Sequence, residues 1–153
     1  NSIKIVENIL NENKERFENL WLKMMNKKLN LDKNNNNKDL INDFLDLMHI
    51  YKLDFTNTFI NLNKGKLDKN IFKNWLNKYS LCKSKEYDKI NPFVIPRNHI
   101  IEKIINESYN DNYTLLYNFD KVIRNPYEDK LINEKFTEPP NENEKVYETF
   151  CGT

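Results

Sequence analysis

The chain has 153 residues, of which 39% are hydrophobic and 12% aromatic, so it is long enough to form one domain with a sizeable core. Twenty-four basic residues oppose 23 acidic ones, and the formal net charge is only +1. A nucleic-acid-binding domain usually carries a strongly basic surface, so the near-neutral charge argues against that class. A membrane-spanning helix needs about 18 consecutive apolar residues, and the sequence contains no such run.

The first predicted element covers residues 3–29, where apolar residues recur at every third or fourth position. The pattern predicts either one long helix or two helices with a break near Asn11 to Asn13. The stripe formed by Trp21, Met24 and Met25 is interpreted as part of the core. The periodic positions are Ile3, Val6, Ile9, Leu10, Phe17, Leu20, Trp21, Met24 and Met25.

A loop is predicted near residues 31–38, where Asn34–Asn37 form a run of four asparagines. Such a run is typical of a biased composition that fills surface positions with asparagine and lysine. We therefore expect this loop to be a surface decoration without a role in interactions.

Three amphipathic segments follow, each with a helix start or stop signal. Asp39 and Asp54 are expected to cap the second and third helices, Gly65 to end the third, and Asp68 to Leu81 to form the fourth. The residues predicted to face inward are Leu40, Ile41, Phe44, Leu45, Met48 and Tyr51 in the second helix, Phe55, Thr58, Phe59 and Leu62 in the third, and Ile71, Phe72, Trp75, Leu76 and Tyr79 in the fourth.

The segment from Asn91 to His99 contains Pro92 and Pro96, which push the residues before them toward extended geometry. It is therefore predicted to be an extended strap that leads into a helix reaching Tyr109. Asn98 is the expected N-cap of that helix, with Glu102 placed favourably near the positive end of the helix dipole.

A sixth helix is predicted from Tyr113 to Ile123, with Leu116, Phe119, Val122 and Ile123 facing inward, and it is stopped by Asn125-Pro126. Beyond Tyr127 the periodicity fades into a proline-containing tail. Val146 to Cys151 is apolar at alternate positions, so we expect the end of the chain to dock on something. With no hairpin or βαβ pattern, the expected fold class is all-α.

The distribution of glycine, histidine and cysteine limits the chemistry that these residues can perform. A phosphate-binding loop needs several glycines, and only Gly65 and Gly152 are present. His49, Cys82, His99 and Cys151 are too scattered to form a structural zinc site. We expect Cys82 to be a semi-buried thiol, His49 to be a surface residue and His99 to pack or cap beside the strap. Cys151 lies too close to a chain end for a well-held nucleophile, but it could form a reversible disulfide.

Arg97 has two possible roles. A guanidinium beside a helix start can position a phosphate or a carboxylate of a ligand. Alternatively, it bridges to a carboxylate of a neighbouring helix or to carbonyls of the strap, and we favour this second role.

Several ordered motifs resemble the C-terminal region of the selenoprotein O family. They are Asn91-Pro92-x-x-Ile95-Pro96-Arg97-Asn98-His99 with Ile101-Glu102, Asn125-Pro126-Tyr127, Glu138-Pro139-Pro140 and the ending Thr149-Phe150-Cys151-Gly152-Thr153. Trp21-Leu22-x-Met24-Met25-x-x-Lys28-Leu29 and Asp54-Phe55-Thr56-Asn57-Thr58-Phe59 match earlier segments in the same order. The resemblance spans residues 21–153. Its candidate structural motif consists of Asn91, Pro92, Pro96, Arg97, Asn98, Asp54 and Thr56.

The resemblance implies a helical bundle corresponding to the C-terminal part of a protein-kinase-like large lobe, followed by a docked irregular tail. Members of the family are pseudokinases that bind ATP and magnesium and transfer AMP to Ser, Thr or Tyr hydroxyls of proteins. The ATP and metal motifs lie upstream of the region resembled here, so no catalytic, cofactor or metal residue is expected in this chain. The implied partners are the upstream kinase-like part and protein substrates, and eukaryotic members are mitochondrial.

One position departs from the family's pattern, and another matches it. Ile60 stands where the family often has an arginine, so a contact made by that arginine is not expected here. Cys151 stands where some animal members carry selenocysteine, which makes it the candidate redox residue, paired with a cysteine of the missing catalytic part.

The chain is therefore expected to be a fragment of a longer protein, since it begins without Met or a leader-like segment, with any targeting signal upstream. We predict a single domain with a helical core at 1–124 and a tail at 125–153. Cutting it from its parent would leave an apolar docking face through which it could dimerise. The alternative function is a helical scaffold or interaction module without enzymatic activity.

Overall fold

The computed structural model describes residues 2–32, 36–84 and 90–145. Over these ranges the fold is all-α, as predicted, and an isolated antiparallel bridge between Leu31 and Lys83 is its only β pairing. The helices are α1 (Ser2–Lys28), α2 (Lys38–Ile50), α3 (Phe55–Asn63), α4 (Lys69–Cys82), α5 (Asn98–Ser108) and α6 (Thr114–Ile123). Two 3-10 helices follow, Leu131–Phe136 and Glu142–Glu144. None of the helices in the described ranges is both long and apolar enough to cross a bilayer.

The chain divides into two compact units. The first contains Asn1–Leu53 and Asn61–Ile90, and the second contains Asp54–Ile60 and Asn91–Thr153. The tail predicted at 125–153 belongs to the second unit, together with residues of the predicted core.

The core of the first unit is an aromatic cluster between α2 and α4. The Phe44 ring lies 4.6 Å from Trp75 and 5.4 Å from Phe72 between centroids, and Trp75 stacks on Tyr79 at 4.7 Å. The Trp75 indole N–H donates to the Leu40 carbonyl oxygen at 2.8 Å, which satisfies its polar atom inside the core. The periodic aromatic residues of the two helices therefore pack as the sequence predicted.

Helix α1 is a single helix, which decides between the two alternatives left open by the sequence. Met25 and Leu29 near its end are buried, but Met24 is 47% exposed. The predicted stripe thus contributes to the core only in its last part. Periodicity shows that a helix is amphipathic, but it does not show how much of the apolar face another element covers.

Two asparagines form hydrogen bonds near the end of α1 and just before α2. Asn30 has a positive φ of 53°, a conformation that asparagine tolerates better than most residues, and its carbonyl accepts from the Ser84 N–H at 2.9 Å. The Asn37 amide donates to Asn26 Oδ1 at 2.7 Å and to the Asp32 carbonyl at 2.8 Å. Asn37 is buried, so the last member of the asparagine run is a structural residue and not the surface filler that we expected.

Some of the observed helix ends agree with those predicted from the sequence, and one does not. Asp68 caps α4 by accepting from the Asn70 N–H, and Gly65, with a φ of 65°, follows the end of α3 as predicted. The prediction that Asp39 caps α2 is wrong. That helix begins at Lys38 after Asn37, so Asp39 lies in its first turn.

The second unit has its own apolar core, formed by α5, α6, the strap and the first 3-10 helix. The Phe119 and Phe136 rings meet edge to face at 5.3 Å. Phe136 lies in the predicted tail and is 1% exposed, so this part of the tail does dock. The core consists of Val94, Ile100, Ile104, Phe119, Val122 and Phe136, with Phe93, Ile101, Leu115 and Ile123 packed against it.

Three residues predicted to face inward are instead exposed, and one of them, Tyr51, is 51% exposed just after the end of α2. Leu116 is 38% exposed because Leu115, one position earlier, packs on the core with Phe119 and Ile123 at helical spacing. Phe55 is 49% exposed and contacts Phe59 across one turn of α3 at 4.8 Å.

Candidate functional site

The strap contacts the segment that follows α6. The N–H groups of Phe93 and Val94 donate to the Pro126 carbonyl oxygen at 2.7 and 3.4 Å. Proline has no N–H to donate, but its carbonyl remains a full acceptor, so Pro126 both ends the helix and holds the strap. The Asn91 and Asn125 motifs therefore meet in the folded chain, although they are more than thirty positions apart in sequence.

Arg97, at the end of the strap, pairs with Asp54 at the start of α3. Its Nη1 and Nη2 donate to the two carboxylate oxygens, both at 2.8 Å, which is bidentate geometry. The Arg97 side chain is 7% exposed and that of Asp54 is 23% exposed. Arg97 therefore bridges to a carboxylate of a neighbouring helix, the role that the sequence analysis favoured.

Asp54 is also the N-cap of α3, as predicted. One of its carboxylate oxygens accepts from the Asn57 N–H at 2.8 Å, while its carbonyl accepts from the Thr58 hydroxyl at 2.7 Å. The Asn57 amide donates in turn to the Thr137 carbonyl at 3.0 Å, and its oxygen lies 3.5 Å from Arg97 Nη2. Asn57 and Thr137 were not among the predicted site residues, although Asn57 lies within a motif that carried the family resemblance.

We call Asp54, Asn57, Arg97, Pro126 and Thr137 the motif cluster. Four segments that are distant in sequence meet in it, and every contact described above joins atoms of the second unit. Both terminal nitrogens of Arg97 donate to Asp54. The Nε of Arg97 is buried without a hydrogen-bond partner among the described atoms. A phosphate could approach this guanidinium only by displacing Asp54, so the geometry suits a brace better than an anion-binding site.

Burial raises the pKa of Asp54, but hydrogen bonds from Arg97 and from the Asn57 N–H, together with the charge of Arg97, outweigh this effect. The net result is a pKa below the ordinary aspartate value. The ionised carboxylate therefore stabilises the folded chain.

The lowered pKa of Asp54 predicts how stability depends on pH. The contribution of the Asp54 carboxylate to the stability of the fold is complete above the pKa that Asp54 has in the unfolded chain, about 3.9. It is lost as the pH falls through the lower pKa that Asp54 has in the folded chain. We expect the difference in unfolding free energy between the native chain and Asp54→Asn to be largest at neutral pH and to shrink between about pH 5 and pH 2. Urea unfolding at a series of pH values measures it. Asp120→Asn, at an exposed ion pair, is the control and should give a smaller difference; a difference for Asp54→Asn that does not change with pH would contradict the prediction.

The remaining predicted motif residues take varied positions. Asn91 is buried, Pro92 and Thr56 are half-buried, and Pro96 is exposed. The prediction that Asn98 caps α5 is wrong. The cap residue is Arg97, with extended backbone at φ −85° and ψ 135°, and its carbonyl accepts from the N–H groups of Ile100 and Ile101.

The residues considered for metal or redox chemistry do not come together in the described chain. His49 is exposed and Cys82 is a half-buried free thiol, as predicted. His99 is half-buried and lines an open polar groove of about 570 Å³ with α5 residues and Asn143 to Lys145. No group of three or more metal-ligating side chains occurs within the described ranges. Cys151, and the alternating segment from Val146 that ends with it, lie outside them.

The sequence resembles proteins named protein nucleotidyltransferase YdiU. It is 31% identical to those of Geobacillus kaustophilus and Bacillus cereus over 170 residues, and 30% identical to that of Clostridium perfringens over 172 residues. Each alignment covers 99% of this chain and 35%, 35% and 34% of the respective relative. Over nearly its whole length the chain is similar to the C-terminal region of the selenoprotein O family. It spans about a third of the length of these curated relatives, in their C-terminal part.

Neither a family model nor a solved structure matches the chain. The similarity to the selenoprotein O family therefore rests on the relatives, whose alignment includes nearly every residue of this chain. Three of the motifs that carried the resemblance, those that begin at Asp54, Asn91 and Asn125, contribute residues to the motif cluster.

Proposed function

We propose that this chain is the non-catalytic C-terminal helical domain of a selenoprotein-O-like protein adenylyltransferase. The longer protein would transfer AMP from ATP to Ser, Thr or Tyr hydroxyls of other proteins, with magnesium as cofactor. The observation that carries the proposal is an alignment that includes 99% of this chain and about a third of the length of relatives named protein nucleotidyltransferase.

The described side chains and the glycine content of this chain do not fit ATP or magnesium. Backbone that approaches phosphates closely needs glycine, and the sequence holds two glycines 87 positions apart, Gly65 and Gly152. The described side chains offer no cluster of metal ligands. We therefore assign nucleotide and metal binding to the upstream two thirds, and we derive no chemical step from the residues present here.

The contribution of this domain would be mechanical support for the catalytic part. In the motif cluster, hydrogen bonds join the start of α3 to the strap and to Thr137, and join the strap to Pro126. Such a brace holds helix ends in a fixed geometry, which is what a supporting domain requires. We place the longer protein in the mitochondrion, and we propose Cys151 as a redox residue paired with an upstream cysteine.

A domain exchange tests this function. The aligned third of the Geobacillus kaustophilus relative is replaced by this chain, and transfer of labelled AMP from ATP to protein is measured with magnesium. We expect activity in the exchanged protein, loss of activity in the relative truncated before this region, and none in the 153-residue chain alone.

Two controls keep the test decisive. Circular dichroism of the exchanged protein shows whether it is folded, and the unmodified relative shows full activity. Transfer by the 153-residue chain alone would overturn the non-catalytic assignment. A folded exchanged protein without activity, or full activity in the truncated relative, would favour the alternative of a scaffold or interaction module.

A further inference from the structure

Helix α1 carries a heptad seam that no other described residue covers. Counting Ile3 as position a, apolar residues occupy the a and d positions along the helix, with one asparagine among them. The apolar members are between 47% and 75% exposed. The seam, as we use the term, consists of Ile3, Val6, Leu10, Asn13, Phe17, Leu20 and Met24.

This spacing favours one kind of contact. Alternating steps of three and four residues produce the narrow stripe that packs against a second helix in a coiled coil, whereas a helix lying on a globular core has a broader stripe. The 27-residue helix is about 40 Å long, and the seam occupies seven positions along it. The surface therefore fits another amphipathic helix.

The seam is complementary to itself in the antiparallel direction. When Leu10 is placed opposite Asn13 of a second copy, Val6 faces Phe17 and Ile3 faces Leu20, so a small side chain meets a large one in the Val6 layer. The arrangement has two-fold symmetry and closes after two copies.

The flanking charges favour this register over its neighbours. In the central register Glu7 of one copy faces Lys14 of the other, and the symmetry repeats this attractive pair. A shift by one heptad in one direction brings Glu7 opposite Glu7, and a shift in the other direction brings Lys14 opposite Lys14 and Arg16 opposite Arg16. Like charges at such positions are repulsive, so only the central register is attractive.

We propose that the 153-residue chain forms a homodimer through α1, as an antiparallel helix pair in the register that joins Glu7 to Lys14. The dimer contact uses side chains of the first unit alone. It is independent of the proposed function, because association of this chain can be measured without any catalytic assay.

Sedimentation of the chain over a range of concentrations tests the dimer. We expect a concentration-dependent monomer–dimer equilibrium that Phe17→Glu abolishes. Ile5→Glu is the matched control, since Ile5 is also exposed on α1 but lies outside the seam, and it should leave dimerisation unchanged.

Charge exchange tests the register. Glu7→Lys and Lys14→Glu should each weaken the dimer by about tenfold, because each turns two attractive pairs into repulsive ones, and the double variant should restore it. A chain that stays monomeric at all concentrations, a dimer that survives Phe17→Glu, or a double variant that remains as weak as the single ones would each overturn the proposal. None of these results would affect the proposed function, which fails only in the transfer assay.

Discussion

Phe44→Ala is expected to lower the free energy of unfolding by about 3–5 kcal/mol. The Phe44 side chain is fully buried and contacts Phe72 and Trp75, so its truncation removes apolar contacts and leaves a cavity between α2 and α4. Urea unfolding followed by tryptophan fluorescence suits the measurement, because Trp21 and Trp75 both lie in the first unit.

The control for this variant is Leu81→Ala on α4. Leu81 is 85% exposed, so its truncation removes little buried surface and should change stability by less than about 0.5 kcal/mol. If the two variants were equally stable, the aromatic cluster would not be the core of this unit.

The sequence predicted the helices well because their apolar periodicity is local. Phe44, Phe72, Trp75 and Tyr79 were placed on inward faces by spacing alone, and each is buried. The same reasoning wrongly placed Leu116 on the inward face. Neighbouring residues of a helix point about 100° apart, and the buried stripe runs through Leu115 instead. Spacing therefore identifies a helix more reliably than it identifies every residue of the buried stripe.

The contacts of the motif cluster could not be predicted from the sequence, because they join residues that are distant along the chain. Arg97 could have bound a ligand or a carboxylate of the protein, and the choice of Asp54, 43 positions away, is made only by the folded chain. Asn98 looked like a cap because of its residue type, but extended backbone at Arg97 moved the start of the helix by one position. The exposure of α1 was also missed, since periodicity does not reveal which partner covers an apolar face.

Arg97→Ala is expected to lower the free energy of unfolding by about 3 kcal/mol. The substitution leaves the carboxylate of Asp54 largely buried without its bidentate partner and also removes the packed stem of the arginine. Arg97→Lys should have an intermediate effect, because an ammonium keeps the charge but cannot form two parallel hydrogen bonds. Far-UV circular dichroism in urea is the appropriate measurement, since the second unit contains no tryptophan.

Arg124→Ala is the matched control, because Arg124 also pairs with an aspartate of the second unit at 2.8 Å. The side chains of Arg124 and Asp120 are 72% and 46% exposed, so water screens their attraction and the loss should be close to experimental error. A double-mutant cycle with Asp54→Asn then separates the coupling of the pair from the loss of arginine packing. A coupling energy near zero would mean that the motif cluster does not brace the start of α3. A large one would mean that Asp54 and Arg97 stabilise the fold together, which is the property that a supporting domain needs.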